Sequence, residues 1–173
     1  MTQLTSGSFD TPDETEFSIG DRVVYRSQGA GEIVAQVERE VGGKTLQYLQ
    51  IQLMKGGMSL MVPLGQGDRV GLRRVTSVDR LPELLAAMRQ EIDLPAGWTP
   101  RHRREQLLLS EGDVFRVAQL VGTLTRRDLE KPLSVTERRI LDDARQMVAT
   151  EVAMARRITL SDAQAEVEAA LQD

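Results

Sequence analysis

From Phe17 onward the apolar positions recur in short runs of period two. Val23-Val24-Tyr25 follows Gly20-Asp21, and Ile33-Val34-Ala35-Gln36-Val37 follows a Gly29-Ala30-Gly31 turn. Leu49, Ile51 and Leu53 alternate with Gln50 and Gln52, and Leu60 and Val62 alternate with Ser59 and Met61. Glycine pairs, Gly42-Gly43 and Gly56-Gly57, separate the runs and supply the positive φ that tight hairpins need. Four or five strands within about 55 residues predict a small SH3- or Tudor-like antiparallel β-barrel.

After Val78 the period becomes helical. Leu81, Leu84, Leu85, Met88 and Ile92 form one apolar stripe, which Pro95-Ala96-Gly97 interrupts. Thr99-Pro100 predicts a restart, with Thr99 as N-cap, Pro100 at the first helical position and Trp98 ahead of the helix. Val114, Val117, Ala118, Val121 and Leu124 mark a third helix. Ser134-Val-Thr-Glu137 is a capping box opening a fourth, which runs through Ile140, Leu141, Ala144, Met147, Val148 and Val152, and Ser161-Asp-Ala-Gln164 repeats the box before Val167 and Leu171. The expected class is α+β: an acidic disordered tail (1–16), a barrel module (17–77) and an all-α module (78–173).

Composition removes most catalytic chemistries. The 173 residues include no Cys and one His, His102, which excludes disulfides, thiolate metal sites and cysteine nucleophiles and leaves no imidazole pair. No apolar run approaches the roughly 18 residues of a membrane helix, and the first residues lack the basic and apolar regions of a signal peptide. The net charge of −4 hides an uneven distribution, with −4 in residues 1–16, −4 in 140–173 and therefore +4 between them. Local field decides where a polyanion settles, so the acidic ends do not exclude DNA.

Two weak motifs are set aside. Gly43-Lys44-Thr45 lacks the earlier glycine and the following helix of a phosphate-binding loop and reads as a hairpin turn. Asp142-Asp143 and Asp128 with Glu130 read as solvated surface, because neighbouring helical residues point about 100° apart.

Gly97-Trp-Thr-Pro-Arg-His-Arg-Arg104 is different, placing the sole Trp and the sole His among three arginines at a loop-to-helix junction. Two readings are open. Trp98 projects and stacks on or wedges between bases while Arg101, Arg103 and Arg104 face phosphates, or Trp98 closes a helix core beneath ordinary surface arginines. Arg126-Arg127 and Arg138-Arg139 read as surface ion pairs that would enlarge a basic patch if the helices fold back toward Arg101. In the strand block, Met61 is out of phase with Leu60 and Val62. Either Met58 or Met61 faces out toward a partner's edge, or Met61 is core.

Phe17-Ser-Ile-Gly-Asp-Arg-Val-Val-Tyr25, Gly29-Ala-Gly31, Tyr48-Leu49, Val62-Pro63 and Val70-Gly-Leu-Arg73 resemble the opening of the CarD/CdnL family of bacterial transcription regulators. The resemblance continues through Gly97-Trp98, Glu111-Gly-Asp-Val114, Arg126-Arg127-Asp128 and Leu133-Ser134 to Ala144-Arg-Gln146, covering about residues 16–157 in one order. The strand block alone also resembles the polymerase-binding domain of transcription-repair coupling factors.

This resemblance implies a Tudor-like module that binds the RNA polymerase β subunit and a helical module that meets promoter DNA at the upstream edge of the melted bubble. The implied DNA-binding set is Trp98, Arg101, His102, Arg103, Arg104 and Arg138, with Trp98 in the minor groove. The implied polymerase-binding set is Arg39, Gln47, Met58, Leu60, Met61 and Pro63. Met61 stands where the family carries a basic polymerase-side residue, which implies a more apolar polymerase contact, and Pro100 stands at a basic DNA-side position, so Arg103 and Arg104 must supply phosphate contacts. We expect a non-enzymatic cytoplasmic monomer associated with the nucleoid through polymerase. No cofactor, metal, membrane or small-molecule substrate is expected, and promoter DNA is bound weakly and without sequence preference. The alternative is a protein-only polymerase adaptor whose helical module binds another polypeptide.

Overall fold

The computed structural model describes residues 17–26 and 28–172, so the acidic stretch 1–16 lies outside the described residues. Among these residues five strands form one antiparallel sheet: β1 (Arg22–Tyr25), β2 (Gly29–Val41), β3 (Lys44–Leu53), β4 (Ser59–Pro63) and β5 (Leu72–Arg74), in the order β4-β3-β2-β1-β5. The alternation read from the sequence lands on one core: Val23, Ile33, Leu49, Ile51, Leu53, Val62 and Leu72 are buried together. Gly42 and Gly43, at φ of 61° and 76°, make the β2–β3 turn. A bulge at Val34 shifts the register, so that Ile33 pairs with Ile51 but Ala35 pairs with Gln50.

The expected barrel is corrected to an open sheet, because β4 and β5 do not pair. A single-turn helix, α1 (Gly67–Val70), lies between them in sequence and touches both. Phe17 packs so closely on Gly67 that a Cβ there would lie 2.6 Å from the ring.

A 3₁₀ turn at Val78–Arg80 leads into the helices α2 (Leu81–Ala87), α3 (Trp98–Glu111), α4 (Val114–Glu130), α5 (Val135–Arg156) and α6 (Leu160–Gln172). Their apolar stripes converge on a second core, from Leu81 and Leu84 through Leu108, Leu120 and Leu124 to Val148, Val152 and Val167. The first stripe outruns its helix: α2 stops at Ala87, and Ile92 is buried from an irregular segment. Arg126 donates to the carbonyls of Met88 and Gln90 and so terminates α2, while Gly122 lets α4 approach so closely that any Cβ would collide with the Met88 carbonyl. The capping box at Ser134 forms as read. The second box does not: Thr159 caps α6 instead, its hydroxyl accepting from the Asp162 amide and donating to the Asp162 carboxylate.

The two cores meet at a seam of Val24, Ala30, Val75 and Met154. There Glu151 of α5 is 2% exposed and accepts from both terminal nitrogens of Arg73 (2.8 and 3.0 Å), and from the amide and hydroxyl of Thr76 (2.7 Å each). Arg22 of β1 donates to the Met154 carbonyl. No helix among the described residues is long and apolar enough to cross a membrane.

Candidate nucleic-acid interface

Helix α3 begins two residues earlier than the Thr99-Pro100 signal suggests. Gly97, extended at φ −70° and ψ 140°, is its N-cap, and no side chain caps it. Its carbonyl accepts the first helical bond from the Arg101 amide at 3.1 Å. Pro100 therefore sits at the third helical position, still within the first turn, where its missing N–H costs no helical bond. Trp98 becomes the first residue of the helix rather than a residue ahead of it.

That start puts Trp98 on the helix in register with the other candidates. Trp98 is 52% exposed, and its indole stacks on His102 one turn further on, with centroids 5.3 Å apart and planes inclined by 12°. Arg103 is exposed and makes no ion pair with any described residue, while Arg104 is half-buried. Arg101, three residues after Trp98, faces inward with Glu105 and Leu108, one face of the helix at i, i+4 and i+7.

Arg101 is 6% exposed. Its Nε donates to Glu137 Oε1 at 3.0 Å and its Nη1 to the Ala96 carbonyl at 2.7 Å. This corrects the expectation of a solvent-facing guanidinium: Arg101 joins the start of α3 to the start of α5 and is not free to take a phosphate. Burial would raise the Glu137 carboxyl, but hydrogen bonds from Ser134 and Arg101 outweigh it and hold the group below its usual range. Arg127, at the end of α4, lies 4.0 Å from the same carboxylate.

The helices therefore do fold back, bringing the Arg126-Arg127 and Arg138-Arg139 pairs to the end of the bundle that carries Trp98. As read from the sequence, most are ion-paired: Arg126 with Glu91 at 3.7 Å and Arg138 with Asp128 at 3.6 Å. Arg139 is exposed, and Arg138 keeps more than half of its side chain in solvent. Leu129 and Val135 flank the same α4–α5 turn and are strongly exposed.

On the sheet, register separates the polymerase candidates. Gln50 pairs with Met61, Tyr48 with Pro63 and Leu46 with Arg39, so alternation puts Arg39, Met61 and Pro63 on one face. Leu60 pairs with Ile51 and Gln47 with Glu38, on the opposite face, where Leu60 packs against the sheet core. Met61 in β4 and Met58 just before it are exposed, and β4 has one edge unpaired among the described residues. Gln47 bonds to Gln36 and Glu38.

Two buried acids escaped the sequence reading as functional groups. Glu151 holds the seam. Glu105 is fully buried and accepts no hydrogen bond at either oxygen from any described residue. The signal for both was present: each acid falls on the apolar stripe of its helix, Glu105 with Leu108 and Glu151 with Ala144 and Val148.

Two family models match the chain: "CarD-like/TRCF RID domain" over residues 17–76 and "CarD, C-terminal domain" over residues 83–168. A Bacillus subtilis protein named "Putative transcription factor YdeB" is 29% identical over 144 residues, which cover 83% of this chain and 94% of that one. The solution structure of the 72-residue N-terminal domain of Myxococcus xanthus CarD is 34% identical, covering 34% of this chain and 79% of that one with a TM-score of 0.30. With a CarD-type strand module followed by a CarD C-terminal module along one continuous chain, this protein belongs to the CarD family of transcription regulators.

Proposed function

We propose that the chain acts without catalysis, in the cytoplasm and on the nucleoid, by docking its sheet module (17–77) on the RNA polymerase β subunit and propping promoter DNA open with its helical module (78–173). Trp98 enters the minor groove at the upstream fork of the bubble, where the strands would otherwise re-pair. Arg103 meets the adjoining phosphates, with Arg104, Arg138 and Arg139 extending the positive surface behind it. His102 serves beneath the indole. Arg101 is left out of the phosphate set because its charge is spent on Glu137.

The observation that carries this reading is the half-exposed ring of the sole tryptophan, in the first turn of a helix whose second turn carries Arg103, exposed and without an ion pair among the described residues. A wedge has its full contact only when the base step is already unstacked, so it binds the open state better and shifts the balance toward it. Base–aromatic stacking is worth about 1–3 kcal/mol, a shift of several-fold to roughly a hundredfold in the open-complex population. Tethering to polymerase raises the local concentration, so weak affinity for free duplex suffices, and phosphate contacts with a wedge carry little base-edge information.

Trp98→Ala tests it. The expected result is an open-complex lifetime shortened by several-fold or more with polymerase binding intact. An unchanged lifetime overturns the wedge and favours the polypeptide-adaptor reading, for which exposed Leu129 and Val135 would supply an apolar contact.

A further inference from the structure

The indole rests on His102, and His102 faces Glu105. Residues 98, 102 and 105 follow one another at i, i+4 and i+7 along α3. The Nδ1 of His102 and both oxygens of Glu105 are buried without hydrogen-bond partners among the described residues, and Nδ1 lies 3.9 Å from Glu105 Oε2. A buried acceptor or donor left unmade is costly. These two groups lack only a proton and roughly an ångström of approach to satisfy one another.

The surroundings leave that proton to this pair. From α3 itself, Arg101 Nε stands 3.9 Å from Glu105 Oε1, but the guanidinium is already bonded to Glu137. From α4 comes Arg127, which also points to Glu137, and from α5 comes Glu137 itself. Burial, and then the Glu137 charge, push the Glu105 carboxyl up to about 7, outweighing Arg101 and Arg127.

We infer that His102 and Glu105 are positioning residues for Trp98: a proton held between imidazole and carboxylate draws the imidazole toward the helix core and with it the indole stacked on its face. The wedge is then presented in one arrangement with the proton bound and in another without it. The inference rests on the proposed function only in taking Trp98 as the working group.

The full chain supplies its own probes, since it holds one Trp and one His. Indole emission and the imidazole Hε1 resonance are followed from about pH 5 to about pH 9, the range in which an imidazole and a raised carboxyl exchange protons. The expected result is one common midpoint for both signals, displaced toward lower pH in Glu105→Gln, which has no carboxylate to share the proton. Flat emission, separate midpoints, or a midpoint unmoved in a folded Glu105→Gln overturns the inference. Should Glu105→Gln fail to fold, Glu105→Asp replaces it: the shorter side chain withdraws the carboxylate, and an unmoved midpoint again overturns the role. Open-complex lifetime with Trp98→Ala keeps the two readings apart. A lifetime that shortens without a common midpoint removes only the positioning role, whereas a common midpoint with no lifetime effect removes only the wedge.

Discussion

Glu151 and Glu105 are both carboxylates lodged in the helical module with almost no solvent contact, and the molecule treats them in opposite ways. Glu151 collects four hydrogen bonds from Arg73 and Thr76, across elements from the two halves of the chain. Glu105 collects none from the described residues, and its neighbouring cation is engaged elsewhere. A buried charge whose lone pairs are filled fixes the groups around it, while one left unfilled is the first to change protonation when conditions change. The satisfied acid sits where rigidity serves the proposed function, at the seam that sets how far Trp98 stands from the sheet. The unsatisfied acid sits beneath the residue that has to engage a partner.

Removing the satisfied acid should cost most. In Glu151→Ala, Arg73 and the Thr76 amide lose their acceptor together, and the expected destabilisation is about 2–3 kcal/mol, at the lower end for a broken buried pair because Arg73 is partly solvated. Urea unfolding of the full chain measures it. A loss below about 0.5 kcal/mol, the size of an ordinary surface change, would show that the apolar contacts of Val24, Ala30 and Met154 hold the seam without Glu151.

Replacing the unsatisfied acid should do the reverse. The Glu105 carboxyl is raised in the fold to about 7 from an ordinary 4.5, so the native state holds a proton that the unfolded chain releases. Stability from this group is complete below about pH 4.5 and falls as pH rises toward about 7, after which it is level. Glu105→Gln removes the decline. Its melting temperature should match wild type near pH 4.5 and exceed it at pH 8, by an amount on the order of 1–2 kcal/mol of stability. Equal melting temperatures at both pH values would mean that Glu105 is solvated, and the contrast with Glu151 would dissolve.

The contrast between these acids also marks where sequence stops informing. Periods of two and of three to four residues located the strands and most helices, because burial of one face is a property of a single element: Leu49, Ile51 and Leu53 need no knowledge of their neighbours. The Ser134 box was equally local. Barrel closure was not, since it depends on whether β4 and β5 reach each other across α1 and Phe17. The N-cap at Thr99 failed for a different reason. Thr99-Pro100 is a good local signal, but the helix starts at Trp98, and its Arg101 is held inward by Glu137, which lies 36 residues away in sequence. The exposure of Trp98 was the alternative that composition disfavoured, because tryptophan is usually buried; the family resemblance, not its periodicity, pointed to it. What Glu105 and Glu151 contact could not be read from either helix alone, although their intrusion on apolar stripes was visible.

Arg103 supplies the finest test, because it isolates the phosphate role from every structural one. Arg101 and Arg103 are two positions apart, so the helix turns them about 200° from each other, and the fold uses one of them for packing and leaves the other in water. Arg103→Ala breaks no ion pair among the described residues and should leave stability within about 0.5 kcal/mol of wild type. If its guanidinium neutralises one backbone phosphate, the logarithmic salt dependence of binding to a forked promoter fragment should become shallower by about one unit, with affinity lowered alike for different sequences. A stability loss of the size expected for Glu151→Ala would mean that Arg103 is structural after all. An unchanged salt slope would place the phosphates elsewhere, with Arg138 and Arg139 across the α4–α5 turn as the next cations to replace.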